Sequence, residues 1–282
     1  MHTTPSRSPP RQLATSHSDQ TSHPRNGTNF LSGRSPNCRV PNNGLCDTIH
    51  TVNTATEGLA PEAEALRTIL ERRHSCRAFA PTPVSSAVLD WIFSTAQRTP
   101  SWCNAQSWHV HLTSGEATIA FSRALQRSAE AGDGRSDIPP PSSYEGVYRQ
   151  RQIDSGRALY SELGIAREDY RSRRQHMLEN LRFFGAPHVA VISAPKSLGT
   201  YGVADCGAYV STLLNAAESR GVAAVAQGAI AMFSNVVHAH LGIEGDRNIV
   251  CGVALGYADE SHPANRVRTS RAPLGEVVSQ LE

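Results

Sequence analysis

Apolar residues recur at intervals of three and four positions through much of the chain, which is the spacing of one helix face. In the stretch PEAEALRTILERRHS (residues 61–75), Leu66, Ile69 and Leu70 share such a face, and Pro61 stands in the first turn. The same pattern predicts further helices within the ranges 85–100, 149–164, 167–184, 205–221 and 231–242.

Patterns typical of strands are fewer and shorter. Residues 108–115 (WHVHLTSG) alternate between apolar and polar, and residues 186–195 and 248–258 are short apolar runs that indicate buried strands. Residues 127–146 are crowded with Gly, Pro and Ser, which predicts a loop. Because the strands are few and separated by helices, we expect an α+β fold with helices packed around one sheet.

Residues 1–58 carry no comparable pattern. They are rich in Ser, Thr, Pro, Asn and Arg and lack aliphatic clusters, so they cannot bury enough apolar surface to offset the entropy lost on ordering. They also lack the apolar core of a secretory signal. We expect a disordered tail at 1–58, followed by one domain at 59–282.

Charge and hydropathy argue against extended polyanionic partners. The formal net charge is +2, and no apolar run approaches the roughly 20 residues of a membrane-spanning helix. We therefore expect neither nucleic acid nor a membrane as a partner.

Cysteine spacing and short motifs exclude several functional classes. The six cysteines contain no CxxC pair and no zinc-finger spacing, which favours reduced thiols in the cytoplasm and predicts no bound metal. The sequence also lacks GxSxG, GxxxxGK(S/T), HExxH and GxGxxG. The commonest hydrolase, P-loop, zinc-protease and Rossmann interpretations are thereby removed.

A first polar cluster stands at the end of the first predicted helix, in ERRHSCRAF (residues 71–79). Its three guanidinium groups suit phosphate oxygens, and Ser75 could add a hydroxyl donor. An arginine-rich helix end that complements the helix dipole explains the same residues equally well.

A second cluster lies in TPSWCNAQSW (residues 99–108). Its turn-forming and hydrogen-bonding residues are Pro100, Ser101, Asn104 and Gln106. Amide side chains can match the edge of a heteroaromatic ring, since each offers a donor and an acceptor. On the residues alone, local backbone hydrogen bonds with Trp102 and Trp108 packed in the core are the favoured interpretation.

A third cluster, at residues 262–278, places Arg266, Arg268 and Arg271 in a predicted loop. Solvated charge is the common explanation of such a loop. Two arginine groups and an amide-bearing turn would nevertheless fit a ligand with an anionic end and a flat hydrogen-bonding end. Flavin mononucleotide (FMN) has that shape.

Four segments in this order carry a resemblance to a known family: RRHSCRAFAPTPV, TPSWCNAQSW, DCGAYVSTLLNAAESRGV and LGIEGDRNIVCGVALGYADESHPANRVRTSRAPL. From about residue 62 to the C-terminus the chain resembles the FMN-dependent nitroreductase family, in its nitrobenzoate or nitrobenzene reductase branch. The resemblance implies an α+β homodimer with a mixed central sheet surrounded by helices, and FMN bound at the subunit interface.

The resemblance also implies which residues contact FMN. They are Arg73, His74, Ser75 and Arg77 in the first segment, Pro100, Ser101, Trp102, Asn104 and Gln106 in the turn that reaches the partner's FMN, Gln227, Gly228 and Ala229 in the loop near flavin N5, and Arg268 and Arg271 as phosphate ligands. Arg73 and Ser75 would hold the phosphate and ribityl chain, and Arg77 would lie at the pyrimidine edge.

Three positions depart from the family pattern. Ser107 stands where Pro is frequent, Ala226 stands where Pro often precedes the Gln, and Gly228 replaces a usual Ala. Extra backbone freedom around Gly228 could alter flavin tilt or substrate choice.

The implied reaction is a ping-pong transfer in which NAD(P)H reduces FMN and leaves before a small nitroaromatic or quinone-like acceptor takes the electrons. The cofactor carries the chemistry, so no protein residue is assigned a catalytic role. Phe183 and Phe184 could line the acceptor pocket, although core packing is favoured for both. Flavin cleavage, reductive dehalogenation and a non-catalytic flavin-binding role are the alternatives.

Overall fold

A computed structural model describes residues 60–281, and the predicted tail at 1–58 lies outside the described residues. The helices are α1 (Pro61–Arg72), α2 (Ser86–Ala96), α3 (Glu116–Ala131), α4 (Gly146–Glu162), α5 (Tyr170–Leu178), α6 (Gly199–Ser219), α7 (Gly228–Ala231) and α8 (Ser234–Leu241). The strands are β1 (His109–Ser114), β2 (His188–Pro195), β3 (Ala223–Gln227) and β4 (Arg247–Gly256). Within residues 60–281, no helix has the length and apolar character needed to span a bilayer.

The four strands form one sheet in the order β1-β2-β4-β3. Neighbouring strands pair antiparallel, with a register shift in β2 between Ile192 and Ser193. Among the described residues, parallel pairing is confined to an isolated bridge between Ser75 and Ala224. The mixed character expected of the sheet therefore rests on this bridge, which brings the segment after α1 to the edge of β3.

Helices cover both faces of the sheet, which confirms the predicted α+β class. Helices α2 and α6 pack on one face, where Ile92 and Leu213 are fully buried. Helices α3 and α8 cover the other face around Phe121 and Val237. Burial stabilises the fold by about 1.5–3 kcal/mol for each such side chain, so the two apolar layers supply the main driving force for folding.

The aromatic residues separate into core and surface. Trp108 is 8% exposed and stacks on Tyr209 with ring centroids 5.0 Å apart. Phe183 and Phe184 are also buried, so core packing is confirmed for all three. Trp102 is 61% exposed, and the interpretation that it packs in the core is wrong.

The prediction of a loop at 127–146 is wrong at its N-terminal end, because α3 continues to Ala131. Phe121, Leu125 and Ser128 are buried on one face of α3, so tertiary packing carries the helix into a polar stretch of sequence. The helix ends at Gly132, whose φ of 69° is left-handed and readily adopted by glycine.

The charged helix predicted at 167–184 is shorter than expected. Helix α5 ends at Leu178 and a 3₁₀ turn follows it. Phe183 and Phe184 both have a φ of 55°, which interrupts helical hydrogen bonding. Burial of the two rings offsets the backbone strain that this conformation introduces.

Candidate functional site

Backbone contacts hold the segment after α1 along β3. The N–H of Cys76 donates to the carbonyl of Ala224 at 3.2 Å, and Ser75 forms the parallel bridge to the same residue. Arg73 leaves the helix with an extended ψ of 123°. As a result, the side chains of Arg73 and Ser75 line the same cavity.

Asn265 joins this segment to the C-terminal segment, and it is only 4% exposed. Its Oδ1 accepts from the N–H of Arg77 at 2.7 Å. Its Nδ2 donates to the carbonyls of Ala78 at 2.8 Å and Asp259 at 2.9 Å. The guanidinium of Arg268 donates to the carbonyl of Asn265 at 2.8 Å, so two arginine segments far apart in sequence are fixed against each other. Asn265 was not predicted as a site residue, since a lone Asn in a loop is a common feature.

The two segments line a cavity of about 670 Å³, called here the arginine cavity. It brings together six residues predicted from the sequence: Arg73, His74, Ser75, Arg77, Arg268 and Arg271. The remaining predicted site residues do not line it.

Positive charge is in excess around the arginine cavity. Within residues 60–281, none of its four arginines forms a salt bridge, whereas the adjacent Arg72 pairs with Glu218 at 2.8 Å. Glu71 is the one carboxylate among the described residues of the lining. Burial lowers the pKa of Arg77, because desolvation disfavours its charged form. An anion in the cavity would compensate this charge, and phosphate matches the donor geometry of guanidinium groups.

Helix α6 contributes Ser211 and Asn215 to the lining. The Oδ1 of Asn215 is buried and has no hydrogen-bond partner among the described residues. An unsatisfied buried acceptor costs about 1–3 kcal/mol, which a ligand that donates a hydrogen bond would recover. Neither residue was predicted as a site residue, because both are ordinary polar positions within the amphipathic stretch 205–221.

The turn at 99–108 lies outside the arginine cavity. The Oγ of Ser101 accepts from the N–H of Gln106 at 2.9 Å, which closes the turn. The N–H of Trp102 donates to the carboxylate of Asp205 at 3.1 Å, which fixes the turn on α6.

Three residues of this turn have left-handed backbones: Cys103 (φ 48°), Asn104 (φ 56°) and Gln106 (φ 48°). Strained backbones of this kind are concentrated at functional sites. The Trp102 ring lies 4.7 Å from that of Tyr201, and Pro100 is exposed at the start of the turn. The aromatic and amide groups of the turn therefore do not line the cavity of their own protomer.

The predicted N5 loop begins at the end of β3. Gln227 lies three residues beyond Ala224, roughly 10 Å further along the strand. Its side chain is 2% exposed and donates from Nε2 to the carbonyl of Asn180 at 2.9 Å, while its Oε1 has no partner among the described residues. Gly228 and Ala229 start α7. The loop is thus placed at the other end of the strand that borders Ser75.

The site offers charge and hydrogen bonds rather than a metal or a thiolate nucleophile. Within residues 60–281, no group of three or more His, Cys, Asp or Glu side chains is placed to hold a metal ion. Cys76 is buried beside the cavity segment, and desolvation raises the pKa of its thiol to about 11. At neutral pH the thiol is protonated, so it serves packing rather than attack.

Comparison with known proteins gives consistent matches. A family model described as Nitroreductase family matches residues 70–257. The chain is 35% identical over 215 residues to nitroreductase NfnB of Mycolicibacterium smegmatis, which covers 76% of this chain and 92% of that protein. It is 32% identical over 241 residues to a 4-nitrobenzoate reductase of Nocardioides sp., which covers 81% of this chain and 97% of that protein. The solved structure of FMN-dependent NfnB from Mycobacterium smegmatis in complex with NADPH is similar with a TM-score of 0.75 at 34% identity, covering 78% of this chain and 100% of that one.

Proposed function

The chain belongs to the nitroreductase family, and we propose that it is an FMN-dependent oxidoreductase that uses NAD(P)H to reduce nitroaromatic or quinone-like acceptors. The family match confirms the resemblance that was based on four sequence segments. One observation carries the proposal, namely a cavity lined by four arginines that form no salt bridge within residues 60–281. The names of the relatives, a nitroreductase and a 4-nitrobenzoate reductase, support the nitro group as acceptor.

The donor set of the arginine cavity fits FMN. Arg73, Arg268 and Arg271 would hold the phosphate, since guanidinium groups bind phosphate oxygens by charge-assisted hydrogen bonds. Ser75 would donate to the ribityl chain, and Arg77 would face the pyrimidine edge. The uncompensated charge and the orphaned acceptor of the cavity are both features that this ligand would satisfy.

When bound, FMN supplies the group that accepts and returns hydride. The chain binds and orients it, and Arg77 would stabilise the negative charge that reduction adds. The donor and the acceptor would use the same space in turn, which is the basis of the proposed ping-pong order. Because the cofactor would carry the chemistry, the proposed reaction requires no acid–base pair of side chains from the protein.

A homodimer is part of the proposal. Helices α1 and α4 bury none of their residues in one protomer. Trp102, Leu274 and Val277 are also exposed, and a second copy of the chain would cover apolar side chains of this kind. The turn at 100–106 would then complete the cavity of the second subunit. We also propose a cytoplasmic location, since the four cysteines of the described residues are free thiols.

Anaerobic flavin spectroscopy tests the proposed function. The purified protein loaded with FMN should lose its visible flavin absorbance when NADPH or NADH is added, and should recover it when 4-nitrobenzoate follows. Free FMN with the same additions is the control. Flavin that stays oxidised with both donors would favour the non-catalytic alternative. Reduced flavin that 4-nitrobenzoate does not reoxidise would favour another FMN reaction, such as flavin cleavage or reductive dehalogenation.

A further inference from the structure

A second cavity, of about 790 Å³, lies between α4 and α5 and is called here the α4–α5 cavity. Its volume is within the range of about 300–1,000 Å³ that is typical of small-molecule sites. Three arginines line it, Arg157, Arg167 and Arg173, together with the ring of Tyr160. No Asp or Glu of the described residues is in its lining. The cavity therefore combines positive charge with an aromatic surface.

Two of these arginines have donors available to a ligand. The guanidinium of Arg173 lies 4.4 Å from the ring centroid of Tyr160, and the contact holds it in the cavity wall. Its Nε donates to a backbone carbonyl at 3.2 Å, while its terminal nitrogens have no partner within residues 60–281. Arg167 makes no hydrogen bond or salt bridge within the same residues. Arg157 differs, because it pairs with Asp154 at 3.0 Å.

His176 is near one residue from the lining of each cavity. The rings of His176 and Tyr160 meet edge to face with centroids 6.2 Å apart. On its other side, His176 lies close enough to Arg77 that burial and then the Arg77 charge lower its pKa. Tyr160 lines the α4–α5 cavity and Arg77 lines the arginine cavity. One side chain, His176, therefore stands between a lining residue of each cavity.

The cavity of about 750 Å³ between α4 and the C-terminal segment is less suited to an anion. Its lining includes the carboxylates of Asp154 and Glu276. Arg151, which also lines it, is already paired with Glu276 at 2.9 Å. Between the two cavities that α4 borders, the charge distribution favours the α4–α5 cavity.

We propose that the α4–α5 cavity binds the adenosine 2′-phosphate end of NADPH. Arg167 and Arg173 donate to the 2′-phosphate, and the ring of Tyr160 contributes the flat surface for adenine. The inference rests on the proposed function, since it concerns the electron donor of that reaction. It assigns a preference for NADPH over NADH to this cavity, because NADH lacks the phosphate.

The variant Arg167→Ala tests the assignment. Its kcat/KM for NADPH should fall about tenfold, because a hydrogen bond between charged groups is lost, while that for NADH should stay within about twofold. Arg167 is exposed, so the substitution leaves the fold intact. Arg174→Ala is the matched control, since Arg174 is exposed on α5 beside Arg173 but points about 100° away and does not line the cavity. Arg173→Lys keeps the charge without the planar group, and a smaller selective loss with NADPH is expected.

Calorimetry on the FMN-loaded protein gives a second readout that does not depend on turnover. Adenosine 2′,5′-bisphosphate should bind the wild-type protein about tenfold more tightly than adenosine 5′-monophosphate, and Arg167→Ala should remove the difference. Equal binding of the two nucleotides, or equal losses with both donors in Arg167→Ala, would overturn the inference. If neither donor reduces the flavin, the proposed function fails, and the nucleotide titration still decides whether the cavity recognises a 2′-phosphate.

Discussion

The four guanidinium groups of the arginine cavity differ in the hydrogen bonds that they already form within the protein. Arg268 and Arg271 donate to backbone carbonyls of their own segment, which orients them before any ligand arrives. Arg77 donates to the carbonyl of Ser75 at 3.3 Å. The side chain of Arg73 makes no hydrogen bond within residues 60–281 and is half-buried. Arg73 therefore keeps all its donors for a ligand and contributes little to the protein alone.

Replacement of Arg73 by alanine should reduce FMN affinity about tenfold or more, because a charge-assisted phosphate contact is lost. The thermal midpoint of the FMN-free protein should not change, since no protein contact is removed. The FMN-to-protein ratio after gel filtration and a fluorescence titration measure the effect. Arg67→Ala is the control, since Arg67 also lies on α1 and its guanidinium pairs with Glu64 on the surface at 2.8 Å. Full FMN occupancy in Arg73→Ala would contradict the assignment.

Replacement of Asn215 by alanine should weaken FMN binding without lowering the stability of the FMN-free protein. Because its Oδ1 is buried without a partner among the described residues, Asn215→Ala should leave the free energy of unfolding unchanged or raise it by up to about 1 kcal/mol. The same change should weaken FMN binding roughly five- to tenfold. Asn215→Asp should weaken it further, since a carboxylate would repel the phosphate. Denaturant unfolding and FMN titration together check the prediction, and a loss of stability with unchanged binding would make Asn215 a structural residue only.

At the scale of elements, prediction from sequence succeeds where apolar residues repeat over several turns or form a long apolar run. Strands β2 and β4 are of this kind, and their predicted ranges agree with the structure. Helix α6 was predicted at 205–221 and its C-terminal end agrees, but the helix begins six residues earlier, at Gly199. Strand β3 was missed because its five residues, AAVAQ, are mostly alanine and show no alternation.

The arginine clusters were visible in the sequence as anion-binding candidates. The proximity of these clusters in the folded chain was not predictable from the sequence. It depends on the hydrogen bonds of Asn265 and on the Ser75–Ala224 bridge, which are contacts between distant segments.

Loss of the Asn265 side chain should therefore affect two properties together. Asn265→Ala removes one acceptor and two donated hydrogen bonds, so the free energy of unfolding should fall by roughly 1–3 kcal/mol. FMN affinity should fall as well, because both arginine segments lose their common anchor. Asn235→Ala is a matched control, since Asn235 similarly ties Asp133 and Arg135 in a loop that does not line the arginine cavity.

The two effects are separated by measuring FMN affinity under conditions where both variants are fully folded. Asn235→Ala should lose stability with no change in FMN affinity. If Asn265→Ala binds FMN as tightly as the wild-type protein, Asn265 does not position the arginines.

At the scale of the whole molecule, one protomer holds the turn at 100–106 apart from its own arginine cavity. Helix α6 carries Asp205, which fixes the turn, and Asn215, which lines the cavity. The two residues are ten positions apart, about 15 Å along the helix axis. A second copy related by a two-fold axis would bring its turn to this cavity, while the first turn meets the cavity of the second copy. The exposed ring of Trp102 is available for this contact.

Subunit mixing tests this exchange between protomers. Arg73→Ala impairs the cavity, and the double variant Trp102→Ala/Asn104→Gly impairs the turn while glycine tolerates the left-handed backbone. In a mixed dimer, two-fold exchange of the turns leaves one site with both defects and the other with none. Random association makes about half of the dimers mixed, so about a quarter of all sites should regain wild-type turnover and FMN affinity. Mixing Arg73→Ala with Arg271→Ala is the control, since both changes lie in the cavity and every site of that mixed dimer stays damaged. If the turn served the cavity of its own protomer, the first mixture would recover no more activity than this control.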